Sequence, residues 1–315
     1  MPQHPARRVV IFTDFPGWHG KRLVKAFEKY QITAQYLSLN DCYFDLTSPT
    51  GLHIPTFIDC LPDGVFVRGI AGGTFEQVTV RLGILHALKA SGVPIYNDVR
   101  AIERTVDKSM TSFLLQRAGI PTPPTIACES REQATQFLQA AFVRGEEVVF
   151  KPLFGSQGKR LLRLKAGDNL PDGEVYNHLY YLQKFISCAN IDKSGNTLSY
   201  HDWRVFVING KAQAAMLRHS QHWITNRAQG ASCRASALDP ELIKLAEAAS
   251  QAIQVDYAGV DIMRDANGQA YVLEVNGVPA WQGLQQVCNA DIAQYLVDDF
   301  VSRYLSPYTQ AHAVL

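Results

Sequence analysis

The sequence predicts a mixed fold of the α/β (α+β) class, on three observations. Segments with strand and helix patterns alternate over the first hundred residues, which is typical of a layer built on a largely parallel sheet. Two hairpin patterns occupy the second half, with turns at Asn209-Gly210 and at residues 265–268. The 315 residues are enough for two domains, or for one elaborate α/β domain with a well-buried core.

The charge balance and the apolar pattern limit the classes of partner. With 30 basic and 29 acidic residues and a formal net charge of +1, the chain gives no reason to expect nucleic acid or an anionic membrane as partner. It has no apolar run of about 18 residues, and its first residues lack a cleavable signal pattern. The six cysteines lack the paired spacing of a zinc site. We therefore expect a cytoplasmic protein with reduced thiols.

The first hundred residues predict a small parallel sheet with helices. Apolar runs predict strands at residues 8–13, 35–41, 64–70 and 94–98, and helical spacing predicts helices at 21–30 and 78–92. Arg68, at the end of a predicted strand, is a candidate substrate contact. The sequence Gly72-Gly73-Thr74 precedes a helix, where it predicts either an anion site or a tight turn with a threonine cap.

The next segment contains a lysine and a glycine-rich loop. A helix is predicted over 101–120, ended by the proline-rich residues 121–125, and a second helix over 132–142. Residues 147–164 then predict strand, loop and strand, with Lys151 at the end of the first strand. In the loop, Gly155-Ser156-Gln157-Gly158 allows backbone amides to approach a phosphate, although such a sequence is most often a hairpin turn. The loop lacks the Lys-Ser/Thr ending of a Walker motif.

Further along the chain, residues 181–186 predict an apolar strand and residues 202–218 a hairpin. Arg204 and Arg218 lie on the two arms of that hairpin, as candidate anion contacts or as exposed side chains of a solvated sheet. Residues 239–253 predict a helix with Asp239 as its N-cap and Pro240 in its first turn. Residues 291–305 predict the last helix.

The stretch 257–280 predicts a hairpin that carries oxygen ligands for a metal. If Arg264 pairs with Gln269, Asp261 lies opposite Val272 and diagonal to Glu274, on the face that also carries Asn276. Such hard donors suit Mg²⁺ shared with substrate phosphates, whereas the alternative is an edge hairpin with solvated acids. The metal interpretation is favoured because the other face is expected to be apolar, with Val260, Ile262, Leu273 and Val275.

The order of these pieces resembles the ATP-grasp superfamily, and specifically the RimK-like α-L-glutamate ligases, across nearly the whole chain. The matching pieces are VDKSMTSFLLQRAGIPTPPT, VVFKPLFGSQGKRLL, YLQKFI, HDWRVFVINGKAQAAMLR, WITNRAQGAS and AGVDIMRDANGQAYVLEVNGVPAWQGL. Residues 67–97 also look like the N-terminal part of the archaeal tetrahydromethanopterin:glutamate ligases. The resemblance implies an N-terminal pre-ATP-grasp α/β domain (1–100), an ATP-grasp small or lid subdomain (101–186) and a C-terminal subdomain with the metal site (187–315).

The resemblance also implies roles for residues at matching positions. The ATP phosphates would be held by Lys108, Lys151 and the loop Gly155, Ser156, Gln157 and Gly158, while the adenine would be lined by Gln183, Lys184 and Phe185 and the ribose approached by Asp202. The Mg²⁺ or Mn²⁺ ion would be bound by Asp261, Glu274 and Asn276. The transferred phosphate and the substrate carboxylate would be served by Arg204, Arg218 and Asn226. Two positions depart from the family pattern: Lys184 often has Glu in its place, and Ile224 a basic residue.

The resemblance implies an ATP-dependent ligase that joins glutamate or a similar amino acid to a small-molecule acceptor through an acylphosphate. Alternatives are a glutamate ligase that acts on a protein tail and a regulatory module that binds ATP without turnover. Ligases of this kind commonly assemble as homodimers or homotetramers. The chain shows no convincing Ser-His-Asp or Cys-His set, which agrees with a reaction that needs no nucleophilic side chain.

Overall fold

The computed structural model describes residues 7–155, 157–191 and 197–306. The helices are α1 (Gly17–Glu28), α2 (Phe75–Ala90), α3 (Val99–Val106), α4 (Lys108–Arg117), α5 (Arg131–Val143), α6 (Pro240–Ile253), α7 (Gln282–Gln285) and α8 (Ile292–Phe300). Short 3-10 turns span Leu39–Asp41, Gly173–Tyr176 and Arg227–Gln229, and a π-helical turn, Val301–Leu305, follows α8. Among these described residues, no helix has the length and hydropathy needed to cross a bilayer.

The strands are β1 (Arg8–Phe12), β2 (Thr33–Leu37), β3 (Tyr43–Phe44), β4 (Leu52–His53), β5 (Gly64–Val67), β6 (Ile95–Tyr96), β7 (Thr125–Cys128), β8 (Val148–Lys151), β9 (Leu162–Leu164), β10 (Tyr180–Lys184), β11 (Ala189–Ile191), β12 (Thr197–Ile208), β13 (Lys211–Ser220), β14 (Ser232–Ser236), β15 (Tyr257–Arg264) and β16 (Ala270–Asn276). The chain forms two compact units. Unit 1 runs through Ile102 and adds Val278–Gln285 and the residues from Asn289 onward, and unit 2 comprises Glu103–Gly277 and Gln286–Cys288.

Unit 1 is built on a parallel sheet in the order β2-β1-β5-β6, as the alternating pattern predicted. Its strands are buried on both faces, since Val9 to Phe12 and Val65 to Val67 have no exposed surface. One helix begins earlier than predicted, because α1 starts at Gly17 rather than at Lys21. At the end of β5, the Arg68 guanidinium lies 4.6 Å from the Trp281 ring centroid and donates to the Pro279 carbonyl at 3.0 Å.

The start of α2 decides between the two alternatives for Gly72-Gly73-Thr74 in favour of a capped turn. The Thr74 side chain accepts from the Gln77 amide, and the Gln77 side chain accepts from the Thr74 amide. This reciprocal capping box uses two of the backbone donors that open the helix.

Unit 2 contains two antiparallel sheets. One has the order β7-β10-β8-β9, and the other has the order β14-β13-β12-β15-β16, with β11 paired to β12. Helix α6 packs on β12, β13, β15 and β16, and its first turn is capped by Asp239, as predicted. The single helix predicted over 101–120 is instead two helices, because the Asp107 carboxylate accepts from the amides of Ser109 and Met110 and begins α4. This cap makes Lys108 the first residue of α4.

The register of the β15–β16 hairpin differs from the predicted one. Arg264 pairs with Ala270 rather than with Gln269, and a β-bulge then inserts Leu273, so that Asp261 lies directly opposite Glu274 and not opposite Val272. The two one-residue displacements add up to two, which is the side-chain period of a strand. The predicted face for Asp261 and Glu274 is therefore correct even though the predicted pairing is wrong.

The bulge also changes the neighbours of the acidic pair. Leu273 does not belong to the opposite apolar face, as the alternation predicted, but lies with Met263 on the cleft side of the sheet. Val260, Ile262 and Val275 are fully buried, as predicted.

The β12–β13 hairpin carries a second bulge of the same kind. Its turn is Asn209-Gly210, with Ile208 opposite Lys211, but the register shifts between Phe206 and Val207 so that Gln213 is the extra residue. Beyond the bulge, Asp202 lies directly opposite Arg218. Without the shift, Asp202 would face Leu217, and the Arg218 side chain would project from the other side of the sheet.

Unit 1 has a tightly packed aromatic cluster around Phe300. The Phe300 ring centroid lies 6.0 Å from that of Phe27, 6.2 Å from Phe66 and 5.4 Å from Tyr96. Gly64 in β5 leaves room for this ring, because a Cβ at that position would lie 2.8 Å from Phe300 Cζ.

We expect Gly64→Ala to destabilise the protein by about 1–3 kcal/mol, because the added methyl group would displace Phe300 from a packed core. Gly72→Ala is the matched control, since a Cβ there meets no atom within 4 Å and Gly72 is exposed. Urea denaturation of both variants measures the effect. Equal denaturation midpoints for the two variants would contradict the packing described for Phe300.

Candidate active site

A cleft lies within unit 2, lined by strands of both antiparallel sheets and by residues 223–226. All six charged residues of its lining were predicted as site residues. The charged residues are Lys151, Lys184, Asp202, Arg218, Asp261 and Glu274, and the apolar residues include Phe185, Ile186, Trp223, Met263 and Leu273. The cleft thus combines an apolar wall with a group of buried charges.

Asp261, one of the two acids of the hairpin, is bound by two arginines. Arg204 faces Asp261 across β12 and β15, and its Nε and Nη2 donate to the two Asp261 oxygens at 2.7 Å each. Arg218 Nη2 lies 2.9 Å from Asp261 Oδ2. Although burial raises the pKa of the Asp261 carboxyl, Arg204 and Arg218 outweigh it and lower that pKa below its ordinary value. Asp261 is therefore ionised at neutral pH.

Glu274 and Asn276 continue this network along β16. With its amide oriented to satisfy both neighbours, Asn276 donates to Glu274 Oε1 at 2.9 Å and accepts from Arg204 Nη2 at 3.2 Å. The three predicted metal ligands therefore lie together on one face. Within the described residues, no group of three or more His, Cys, Asp or Glu side chains is arranged to hold a metal. The acidic pair with the Asn276 amide is the oxygen donor set that the structure offers.

The second buried carboxylate, Asp202, is paired with Arg218. Arg218 Nε donates to Asp202 Oδ1 at 2.7 Å, and Arg218 Nη2 donates to Asp202 Oδ2. Burial raises the pKa of the Asp202 carboxyl, and Arg218 and the nearby buried Thr225 only partly oppose that shift. Asp202, Arg218, Asp261 and Arg204 therefore form a chain of alternating charges in which each member contacts the next.

Lys151 lies at the end of β8, where a glutamine orients it. Its Nζ donates to Gln183 Oε1 at 2.5 Å, and Gln183 Nε2 donates in turn to Thr125 Oγ1 at 3.0 Å. Burial lowers the pKa of the Lys151 ammonium to about 8, although the negative charge of Glu274 opposes the shift. Gln183, which was expected to line an adenine, lines the cleft, and its side-chain oxygen accepts from Lys151.

Lys108 contacts the backbone of the glycine-rich loop. Its Nζ donates to the carbonyls of Leu153 (3.1 Å) and Gly155 (2.8 Å). Burial lowers the pKa of Lys108, and Glu274 again opposes the shift. Both lysines therefore interact electrostatically with the same glutamate.

The other end of the loop packs against residues 224–229. A Cβ on Gly158, whose φ is +67°, would lie 2.5 Å from Asn226 Oδ1 and 2.7 Å from Ile224 Cγ2. Gln229 Nε2 donates to the Gln157 carbonyl at 3.2 Å. Ser156, also expected in this loop, lies outside the described residues. A glycine at position 158 thus lets the loop approach Asn226 closely.

Lys184 and Phe185 line the cleft next to Gln183. Lys184 Nζ pairs with Glu146 Oε1 at 2.8 Å, while the Phe185 ring packs on Trp223 (centroids 5.8 Å apart) and beneath the Arg163 guanidinium (3.8 Å). Met263, Leu273 and Ile186 belong to one small apolar cluster beside them. The family often has glutamate where this chain has Lys184. The positive charge of Lys184 is neutralised by Glu146.

Several cleft residues were not predicted. Thr225 and Trp223 belong to the segment WITNRAQGAS, which carried the resemblance, but only Asn226 was selected from it. Leu273 was expected on the opposite apolar face and Met263 was not selected, yet both line the cleft. The spacing Asp261-x-Met263 is the available signal for Met263, because alternate residues share a face.

Comparison with known proteins agrees with the predicted family. A family model described as the RimK-like ATP-grasp domain matches residues 105–300. A tetrahydromethanopterin:α-L-glutamate ligase of Methanococcus maripaludis is 37% identical over 240 residues, covering 74% of this chain and 77% of the relative. A ligase of the same name from Methanosarcina acetivorans is 30% identical over 92% of this chain and 97% of its own length. The α-aminoadipate–LysW ligase LysX of Saccharolobus solfataricus is 29% identical over 66% of this chain and 74% of its own length.

Solved structures support the fold. The ATP-grasp ligase PsnB, in complex with a minimal precursor, Mg and ADP, matches with a TM-score of 0.67 at 18% identity, over 95% of this chain and 98% of that one. The D-cycloserine synthetase DcsG matches with a TM-score of 0.66 at 17% identity, over 94% of this chain and 99% of its own. The fold is therefore that of the ATP-grasp ligases, and the chain belongs to the RimK-like ATP-grasp family.

Proposed function

We propose that this protein is an ADP-forming carboxylate–amine ligase that joins L-glutamate, or a similar amino acid, to a small-molecule acceptor. The observation that carries the proposal is the position of Glu274: it lies opposite Asp261 and interacts electrostatically with Lys108 and Lys151. Acidic oxygens beside two lysines suit a polyphosphate that binds together with a divalent cation. L-Glutamate is the amino acid in the names of two relatives that match this chain.

The donor set fits Mg²⁺ or Mn²⁺. Asp261 uses three acceptor positions for Arg204 and Arg218, and two carboxylate oxygens offer about four. Glu274 has one oxygen bonded to Asn276 and lines the cleft. Asp261, Glu274 and Asn276 would therefore hold the ion through oxygen atoms. When bound, Mg²⁺ offsets negative charge on the phosphates of ATP.

The reaction needs two transfers. A carboxylate oxygen of the acceptor attacks the γ-phosphorus of ATP, the bond to the β–γ bridging oxygen breaks, and ADP leaves while an acylphosphate forms. The amine nitrogen of the amino acid then attacks the acyl carbon, and phosphate leaves with the electron pair of the broken C–O bond. The proton lost from the amine passes to solvent. The product is an amide, and the protein supplies position and charge rather than a nucleophile.

The residues of the cleft divide these tasks. Lys108 and Lys151 neutralise phosphate charge, and Arg204, Arg218 and Asn226 serve the transferred phosphoryl group and the substrate carboxylate. The loop at Gly155, Gln157 and Gly158 covers the phosphates and excludes water from the acylphosphate. Phe185, together with Met263 and Leu273, offers an apolar wall to the adenine ring.

The test is a search for ADP formation that depends on both substrates. Purified protein with MgATP, L-glutamate and tetrahydromethanopterin should release ADP and phosphate and yield a product heavier by one glutamyl residue, as measured by mass spectrometry. L-Aspartate and D-glutamate serve as matched controls. A ribosomal-type peptide ending in glutamate tests the alternative of a protein tail. Tight MgATP binding with no ADP from any amino acid and acceptor would indicate a regulatory module instead.

We expect Glu274→Gln to lower the turnover rate by a factor on the order of 100 or more, because the variant loses the charge that binds the cation. The fold should be kept, since glutamine has the same shape. Glu241→Gln is the control, because Glu241 is half exposed and pairs with Arg264 outside the cleft. Steady-state ADP release and circular dichroism measure the two effects. A Glu274→Gln variant with wild-type rates would remove Glu274 from the metal site.

We expect nucleotide binding to take up about half a proton at pH 8. The pKa of Lys151 is about 8 in the free protein, and adjacent phosphates would raise it by favouring the ammonium form. The affinity for MgATP should therefore fall as the pH rises above 8. Titration calorimetry in buffers of different ionisation enthalpy measures the uptake. Lys151→Arg, which stays charged, should show no uptake, and an unchanged uptake in that variant would assign the proton to another group.

A further inference from the structure

The buried carboxylate of Asp202 has both of its oxygens bonded to one guanidinium. Asp202 is 2% exposed and Arg218 is 3% exposed, and the two residues are directly opposite each other across β12 and β13. The contact has the fork geometry in which Nε and Nη2 bond to separate carboxylate oxygens. Thr225, also buried, lines the cleft together with this pair.

The fork determines how Arg218 is presented to the cleft. Its Nε and Nη2 are bonded to Asp202, and Nη2 also reaches Asp261. In the described part of the chain, Nη1 makes no such bond, and Arg218 is one of the residues that line the cleft. A guanidinium that is bound along one edge by a carboxylate keeps its plane fixed and offers its other amino group in one direction.

Stability alone does not account for such a pair. Two charges buried almost completely lose their hydration, and an apolar pair of the same volume is often as stable or more stable. The pair also depends on the Gln213 bulge, because the regular register would place Arg218 on the other side of the sheet. Because the buried ion pair loses hydration and requires a bulge, we explain it by the orientation that Asp202 gives to Arg218.

We infer that Asp202 is a positioning residue that aims the Arg218 guanidinium at the transferred phosphoryl group. The inference rests on the proposed function, because it takes the cleft to be a nucleotide site. It assigns to Asp202 an effect on phosphate binding that acts through Arg218. Family resemblance implies that Asp202 acts on the ribose. One pair of binding measurements, one of phosphate and one of the nucleotide, separates the two roles.

The experiment uses MgADP, its 2′-deoxy analogue and inorganic phosphate, measured by titration calorimetry on the full chain. In Asp202→Asn, we expect the affinities for MgADP and for the 2′-deoxy analogue to stay within about twofold of the wild-type values. The affinity for phosphate, titrated into protein saturated with MgADP, should fall about tenfold or more. Loss of the preference for ADP over 2′-deoxy-ADP, with phosphate binding unchanged, would overturn the inference.

Arg218→Lys provides a second variant in case Asp202→Asn does not fold. It keeps the positive charge beside Asp202 but loses the fork, so it should show the same selective loss of phosphate affinity. The double variant should lose no more phosphate affinity than the single variant that binds phosphate more weakly, because both changes break the same Asp202–Arg218 ion pair. Additive losses would mean that Asp202 acts independently of Arg218, which would overturn the inference. If the wild-type protein does not bind MgADP, the proposed function itself is wrong.

Discussion

The site depends on two bulged hairpins that bring charged residues directly opposite one another. One extra residue in β16, Leu273, puts Glu274 opposite Asp261, and one extra residue in β13, Gln213, puts Arg218 opposite Asp202. Because β12 and β15 pair without a shift, Arg204 also lies opposite Asp261. Each bulge changes the face of every residue beyond it, so the two insertions together assemble the cleft side of the sheet.

The assembled charges explain how the cleft could work at neutral pH. The buried carboxylates Asp202 and Asp261 each have an arginine as partner, and the arginines lower the pKa of Asp261, so its oxygens are ionised. Burial lowers the pKa values of Lys108 and Lys151, which makes both ammonium groups responsive to an incoming polyphosphate. When a nucleotide binds with its cation, its phosphates would therefore offset the lysine charges, and the cation would offset the carboxylate charges.

The sequence could predict features that local chemistry determines. Alternating apolar runs gave the parallel sheet of unit 1, and Asp239 with Pro240 gave the start of α6. Pairings across a bulge could not be predicted, since an extra residue such as Leu273 or Gln213 is indistinguishable from its neighbours by composition. The predicted face of Asp261 was correct only because two register displacements, one at the turn and one at the bulge, added up to the two-residue period of a strand. The bond between Gln183 and Lys151 likewise depends on the pairing of separate strands.

The central claim is that Asp261, Glu274 and Asn276 form one oxygen donor set for a cation that accompanies the nucleotide. Anomalous diffraction from crystals grown with Mn²⁺ and ADP tests it most directly. The account predicts a manganese peak that contacts Glu274, with Asp261 and Asn276 bound to the ion directly or through a water molecule. A manganese ion held by phosphate oxygens alone, with none of these three side chains in its coordination sphere, would contradict the account.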